Sequence, residues 1–178
     1  LIQKERARQK RVVNLIASEN YVSDDVLTAL ASEFTNKYAE GYPGARYYGG
    51  NEVVDELERL TQERALALFG LSPNEWSVNV QALSGSPANL AVYYAAIPVH
   101  GKIMGLELSH GGHLTHGHTV SATGKLWTPV PYTLDPKTEQ LNYGAIKKIA
   151  QKEKPDILVA GYTAYPRIVD WKKMREAA

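Results

Sequence analysis

Apolar positions recur at helical spacing in some stretches of the chain and alternate in others. Residues 1–11 are polar and helix-prone, which predicts an amphipathic surface helix or an arm lying on a partner subunit. Ser18-Glu19-Asn20 breaks the periodicity over residues 14–21, so this segment reads as loop. Ser23 is placed to cap a short helix reaching about Ser32, with Val26, Leu27 and Leu30 facing inward. Five glycine or proline positions between Glu40 and Gly50 argue against regular structure there. Asn51 predicts a helix start, Val53, Val54, Leu57, Leu60, Leu66 and Phe69 give its apolar positions, and Gly70 predicts its end. Residues 76–81 alternate as a half-buried strand does.

A helix is expected from Pro87 to Ile97, since proline suits a first turn. Residues 102–108 form a second strand candidate and residues 125–132 a third. Asn142 predicts the cap of a helix running to about Lys154. Ile157, Leu158, Val159 and Ala160 lie in a row, as in a strand covered on both faces across residues 156–162. Residues 170–178 begin another helix. Alternating strands and helices place the chain in the α/β class with a mainly parallel sheet. MREAA stops inside a helical pattern, so the expectation is a piece of a longer α/β domain.

Composition narrows the classes of function. The 178 residues are 44% hydrophobic and 22% charged, which fits a globular chain. Lys plus Arg is 20 and Asp plus Glu 19, so the net charge of +1 gives no reason to expect nucleic acid or an anionic membrane as partner. There is no cysteine, which excludes disulfides and thiolate chemistry. The longest nearly apolar run, residues 90–99, is too short for a membrane span, and no apolar signal core follows the charged start. The expected compartment is the cytoplasm.

Four segments carry candidate chemistry. Ser84-Gly85-Ser86-Pro87 precedes a predicted helix, where free amides and the helix dipole favour an anion such as phosphate. An ordinary serine N-cap is the alternative. His110, His113, His116 and His118 fall within nine residues. Their spacing misses the helical zinc motif, and the glycines leave a ligand-contacting loop or a plain loop beside the metal reading. Tyr38, Glu40, Tyr47 and Tyr48 concentrate phenols and a carboxylate around glycines. Such a loop suits a small-molecule site or an interface, or a loop pinned by its tyrosines, and a buried Glu40 could act in acid–base work. Ser18 gives the weakest signal.

Together NLIASEN, NKYAEGYPGARYYGG, VNVQALSGSPAN, MGLELSHGGHLTHG and AGYTAYPR resemble serine hydroxymethyltransferase, in that family's order and spacing along nearly the whole chain. The resemblance implies a fold-type I enzyme of the aspartate aminotransferase-like class that uses pyridoxal 5′-phosphate (PLP). It would interconvert serine and glycine, with tetrahydrofolate taking or giving the one-carbon unit as 5,10-methylenetetrahydrofolate. Residues 1–50 would be an arm and active-site loop, and residues 51–178 the first part of the PLP-binding large domain. Ser84, Gly85 and Ser86 would hold the cofactor phosphate, and His113 would stack on the pyridine ring, displacing the metal reading. Thr163 would lie near the phenolic oxygen, where many members have serine. Ser18 would help hold the substrate carboxylate, and Glu40 would handle the proton near the hydroxymethyl group. Tyr38 would reach the phosphate in the neighbouring subunit, with Tyr47 and Tyr48 lining substrate and folate across the same interface. Leu108, Gly112 and Leu114 would flank the folate ring. The family is expected as a homodimer or homotetramer.

The family's lysine that anchors the cofactor sits in a TTTHK-type segment expected beyond residue 178, so this chain alone is expected to be inactive. The alternatives are a non-catalytic fragment that associates with a full-length subunit, and a related PLP-dependent β-hydroxy amino acid aldolase.

Overall fold

Capping chemistry sets most of the helix boundaries. The computed structural model describes residues 1–178. In chain order its elements are α1 (Ile2–Gln9), α2 (Asp24–Leu30), β1 (Gly41–Tyr42), β2 (Ala45–Arg46), α3 (Glu52–Leu68), α4 (Gly85–Ala96) and β3 (Lys102–Leu106). Then follow α5 (Ala122–Leu126), β4 (Thr128–Tyr132), α6 (Tyr143–Glu153), β5 (Ile157–Leu158) and α7 (Trp171–Ala177). Ser23, Ser121, Asn142 and Asp170 each accept a hydrogen bond from a first-turn amide of the helix that follows. At the far end of α3, Leu71 N–H reaches Leu66 O and Gly70 N–H reaches Ala67 O, with Gly70 at φ +65°. That pair of bonds is a Schellman stop, and it needs the left-handed residue that glycine supplies. No helix is long and apolar enough to cross a membrane.

The chain divides into two compact units, Leu1–Glu19 with Ser84–Ala178, and Asn20–Leu83. The first is built on a parallel sheet of order β4-β3-β5. Strand β3 is central, and alternation along it feeds two cores. Met104 and Leu106 face Val130, Tyr132, Ile146, Ala150 and Met174 on one side. Ile103 faces Tyr93, Ile97 and Trp127 on the other. Helices α6 and α7 cover the first face and α4 the second, which is the three-layer α/β arrangement. Tyr132 Oη donates to Val159 O at 2.9 Å, pinning β4 to the chain leaving β5.

Several sequence expectations are corrected. Residues 76–81 have no regular structure and enter no ladder, so the predicted strand is absent. Alternation survives, with Val78 and Val80 half-buried, but no strand lies beside it to take its amides. The strand expected over residues 156–162 shrinks to Ile157–Leu158 and is only half-buried, because it pairs on one edge alone. Conversely, the glycine-rich segment after Glu40 does contain regular structure: β1 and β2 form a tight hairpin, Tyr42 opposite Ala45, turned by Pro43 and Gly44 at φ +78°. Lys125 and Leu126, expected to open the third strand, instead end α5 (Ala122–Leu126), leaving β4 to start at Thr128. Val26, Leu27 and Leu30 are exposed, since nothing in this chain covers that face of α2. Asn51 precedes α3 as predicted, yet its side chain makes no cap bond and donates to Tyr48 O instead.

Ile103 is fully buried at the middle of the sheet. Ile103→Ala is expected to cost about 3 kcal/mol, the usual loss for an emptied core site, read from the urea midpoint at unchanged slope.

Candidate functional site

Two groups of the singled-out residues are assembled, one in each unit. In the Asn20–Leu83 unit, the hairpin is organised by an arginine that sequence reasoning passed over. Arg46 donates through Nε to Asp55 Oδ1 at 2.8 Å and through Nη2 to Glu58 Oε2 at 2.6 Å. Its Nη1 donates to the carbonyls of Ala39 and Gly41, the two neighbours of Glu40. The Arg46 side chain is 5% exposed, against 13% for Asp55 and 10% for Glu58. Hydrogen bonding from Arg46, then from the Gly44 amide, holds the Asp55 carboxyl below its usual range, and the Arg46 guanidinium is raised in return. Asp55 and Glu58 lie three apart, hence on one face of α3. An arginine between two glycine turns, followed by that acidic pair, was the available signal.

This brace leaves Tyr38, Glu40, Tyr47 and Tyr48 on the outside. Tyr38 Oη donates to Glu40 Oε2 at 3.2 Å, and the Tyr38 and Tyr48 rings meet edge to face at 5.3 Å. Tyr47 N–H bonds Glu40 O, extending the hairpin by one step, while the Tyr47 ring stays exposed. The arrangement offers an accessible carboxylate with a phenol on one oxygen.

The other unit gathers its residues at the carboxyl ends of the parallel strands, where ligands of such sheets sit. The chain leaves β3 through Glu107 into two short turns, Leu108–His110 and Leu114–His116, closed by Gly111 at φ +99° and Gly117 at φ +97°. Gly112 is forced to be glycine: a Cβ would lie 1.9 Å from Leu106 O. Thr163 and Ala164 N–H both bond Gly111 O, which joins the segment after β5 to this loop. Asn89 on α4 donates to Thr115 Oγ1 at 2.8 Å, which joins α4 to it as well. Ser84, Gly85 and Ser86 form the start of α4, and Ser84 is its N-cap without a cap bond from its hydroxyl. That hydroxyl makes no bond to the helix, and the first-turn amides, like those of any helix start, have no carbonyl of their own helix to bond. Ser18 is exposed in a turn closed by Glu19 N–H on Ile16 O.

All four histidines of the loop accept a backbone amide on Nδ1, three of them from within two or three residues and His110 from outside the loop. His110 accepts from Leu134 N–H, His116 from His113 N–H and His118 from Val120 N–H. His113 Nδ1 lies 2.7 Å from Thr115 Oγ1 and accepts from Thr115 N–H at 3.1 Å. No three His, Asp or Glu side chains converge as metal ligands would. His113 lines a cavity of about 130 Å³ with Leu108, Glu107, His116 and His118. Burial, then the neighbouring His113, lowers His116 to about 4. Burial raises the Tyr93 phenol, with Thr115 opposing it.

The serine hydroxymethyltransferase family model matches residues 1–178. The chain is 53% identical to a putative mitochondrial serine hydroxymethyltransferase of Neurospora crassa, over 99% of this chain and 33% of that protein. It is 51% identical to a probable cytosolic serine hydroxymethyltransferase of Schizosaccharomyces pombe, over 100% of this chain and 39% of the relative. Identity to the Caenorhabditis elegans serine hydroxymethyltransferase is 49%, over 100% of this chain and 36% of that protein. The chain thus spans between a third and two-fifths of the length of these relatives.

Two predictions follow from the geometry. His116 is depressed in the fold, so the unfolded chain binds its proton first. Its contribution is complete above about pH 6.5 and is lost as pH falls toward 4, on the order of 1 kcal/mol after discounting its partial exposure. His116→Asn, which keeps an acceptor for His113 N–H, should flatten the stability–pH curve in that window. Arg46→Met should release the hairpin, read as faster proteolytic cleavage between Tyr38 and Tyr48 at neutral pH.

Proposed function

Because the chain belongs to the serine hydroxymethyltransferase family, we propose that it forms the amino-terminal part of a PLP site for interconverting serine and glycine with tetrahydrofolate. The observation that carries this reading is the pair of assembled groups: an α4 start with an unused serine hydroxyl, tied through Asn89 to the His113 loop, and a braced carboxylate–phenol loop. Residues 51–178 would be the first part of a fold-type I, aspartate aminotransferase-like large domain, preceded by an arm and loop over residues 1–50.

The donor set fits a phosphate. Ser84 Oγ and the amides of Gly85 and Ser86 stand where a helix start favours an anion. His113 would lay its ring on the pyridine face, and Thr163 would donate to the phenolic oxygen. When bound, PLP supplies the electron sink that makes cleavage beside the amino group feasible. The chain's residues do the rest. Ser18 holds the substrate carboxylate. Glu40 takes and returns the proton of the hydroxymethyl oxygen, with the Tyr38 hydroxyl orienting one of its oxygens. Leu108, Gly112 and Leu114 flank the folate ring. Tyr38, with Glu40 on its hydroxyl, and Tyr47 and Tyr48 would together complete the site of a second subunit in a homodimer or homotetramer, which agrees with their exposure. The relatives named cytosolic support a cytoplasmic protein, although one is named mitochondrial.

None of the lysines here stands in a TTTHK-like context. We therefore propose that residues 1–178 by themselves cleave no serine. The test pairs that measurement with Glu40→Gln in the full-length parent. Loss of roughly 10²–10⁴ in folate-dependent kcat is expected, with cofactor absorbance retained. Full turnover by the Glu40→Gln enzyme, or by residues 1–178 alone, would refute the assignment.

A further inference from the structure

The hydrogen bonds around Thr115 can be satisfied in only one direction. Thr115 is 5% exposed inside the turn that His113 caps. Its N–H lies 3.1 Å from His113 Nδ1, and an N–H can only donate, so Nδ1 presents its lone pair. Thr115 Oγ1 lies 2.7 Å from the same nitrogen. With Nδ1 accepting, the hydroxyl proton must point at the ring. The lone pairs of Oγ1 then face α4, where Asn89 Nδ2 donates at 2.8 Å. An amide nitrogen is the only end of Asn89 compatible with that arrangement. The donors run in series from Asn89 to Thr115 to His113. A neutral His113 ring consequently carries its proton on Nε2. The His113 backbone is fixed as well, by His116 Nδ1 on its N–H at 3.3 Å.

We infer that Asn89 and Thr115 are positioning residues that set the tautomer and plane of the His113 ring. Capping the short turn needs only the backbone bond from Thr115 to Nδ1. The hydroxyl and the Asn89 amide add a second anchor out of that line, which fixes rotation of the ring. The inference rests on the proposed role of His113 over the cofactor ring, but the hydrogen-bond order does not.

The test uses the full-length parent with histidines labelled by nitrogen-15. His113 signals are identified by their loss in His113→Gln, above the ordinary histidine titration range. The wild type and Thr115→Ser are expected to show Nε2 protonated and Nδ1 accepting. In Asn89→Asp the carboxylate accepts a hydrogen bond from the Thr115 hydroxyl, Oγ1 turns a lone pair toward Nδ1, and the Nδ1–H form rises roughly five-fold, the worth of one net hydrogen bond. Asn89→Ala, which brings in no charge, should give a smaller rise in the same direction. A wild-type ring protonated on Nδ1, or a tautomer unmoved in both Asn89 variants while circular dichroism stays native, overturns the inference. PLP affinity is the second readout: Thr115→Val should weaken it about ten-fold and Thr115→Ser less than about two-fold. A shifted tautomer with unchanged PLP affinity would keep the Asn89–Thr115 order and overturn the role of His113 at the cofactor.

Discussion

Parallel pairing of β3 on both of its edges puts Ile103 and Met104 back to back with no exposed surface between them. Each residue anchors a different core, so one short strand couples the layer of α4 to the layer of α6 and α7. The next position, Gly105, is as constrained as its neighbours: a Cβ there would meet His116 Cβ at 2.7 Å. The missing side chain lets the histidine loop fold back over the end of the strand that produced it. Position of the candidate site is thus inherited from the sheet, because the turns that carry its residues begin where β3 ends.

That loop is stabilised by its own imidazoles. Histidine is an unusual capping residue, but a ring nitrogen can accept an amide hydrogen as a serine oxygen does. Four Nδ1 atoms accept amides in this way, three from the loop itself and one, on His110, from Leu134. The Nε2 edges remain for other contacts. In the hairpin the division of labour is different. Arg46 is buried and holds the backbone, whereas the tyrosines and Glu40 stay outside. Structure and candidate chemistry there reside in separate residues.

Apart from α5, the helices were legible because their signals are local. Asn142 and Asp170 sit in the chain where their amide partners lie three residues on. The strand in residues 102–106 was legible too, since both of its neighbours lie within this chain. Residues 76–81 and 156–162 were misread for one reason. Alternation and apolar runs report how a segment would pack, but a ladder also needs a partner, which no local pattern reveals. The hairpin after Glu40 was missed from the opposite side. Glycine and proline were read as irregularity when they were the turn itself, and the arginine that orders it pairs with acids nine and twelve residues away. The histidine loop was placed correctly as a loop, yet its capping bonds could not be read from spacing.

Burial of the Arg46 cluster separates two stresses that act alike on surface ion pairs. Salt screens charges through the water around them, and little water reaches this guanidinium. Acid acts on the carboxylates directly, but Asp55 is held below its usual range. Its contribution is complete above the ordinary aspartate value and fades only as pH drops through the lowered one. The loop that carries Glu40 is therefore built to keep its shape in brine and in mild acid, so the carboxylate it presents stays in place when surface ion pairs elsewhere have loosened.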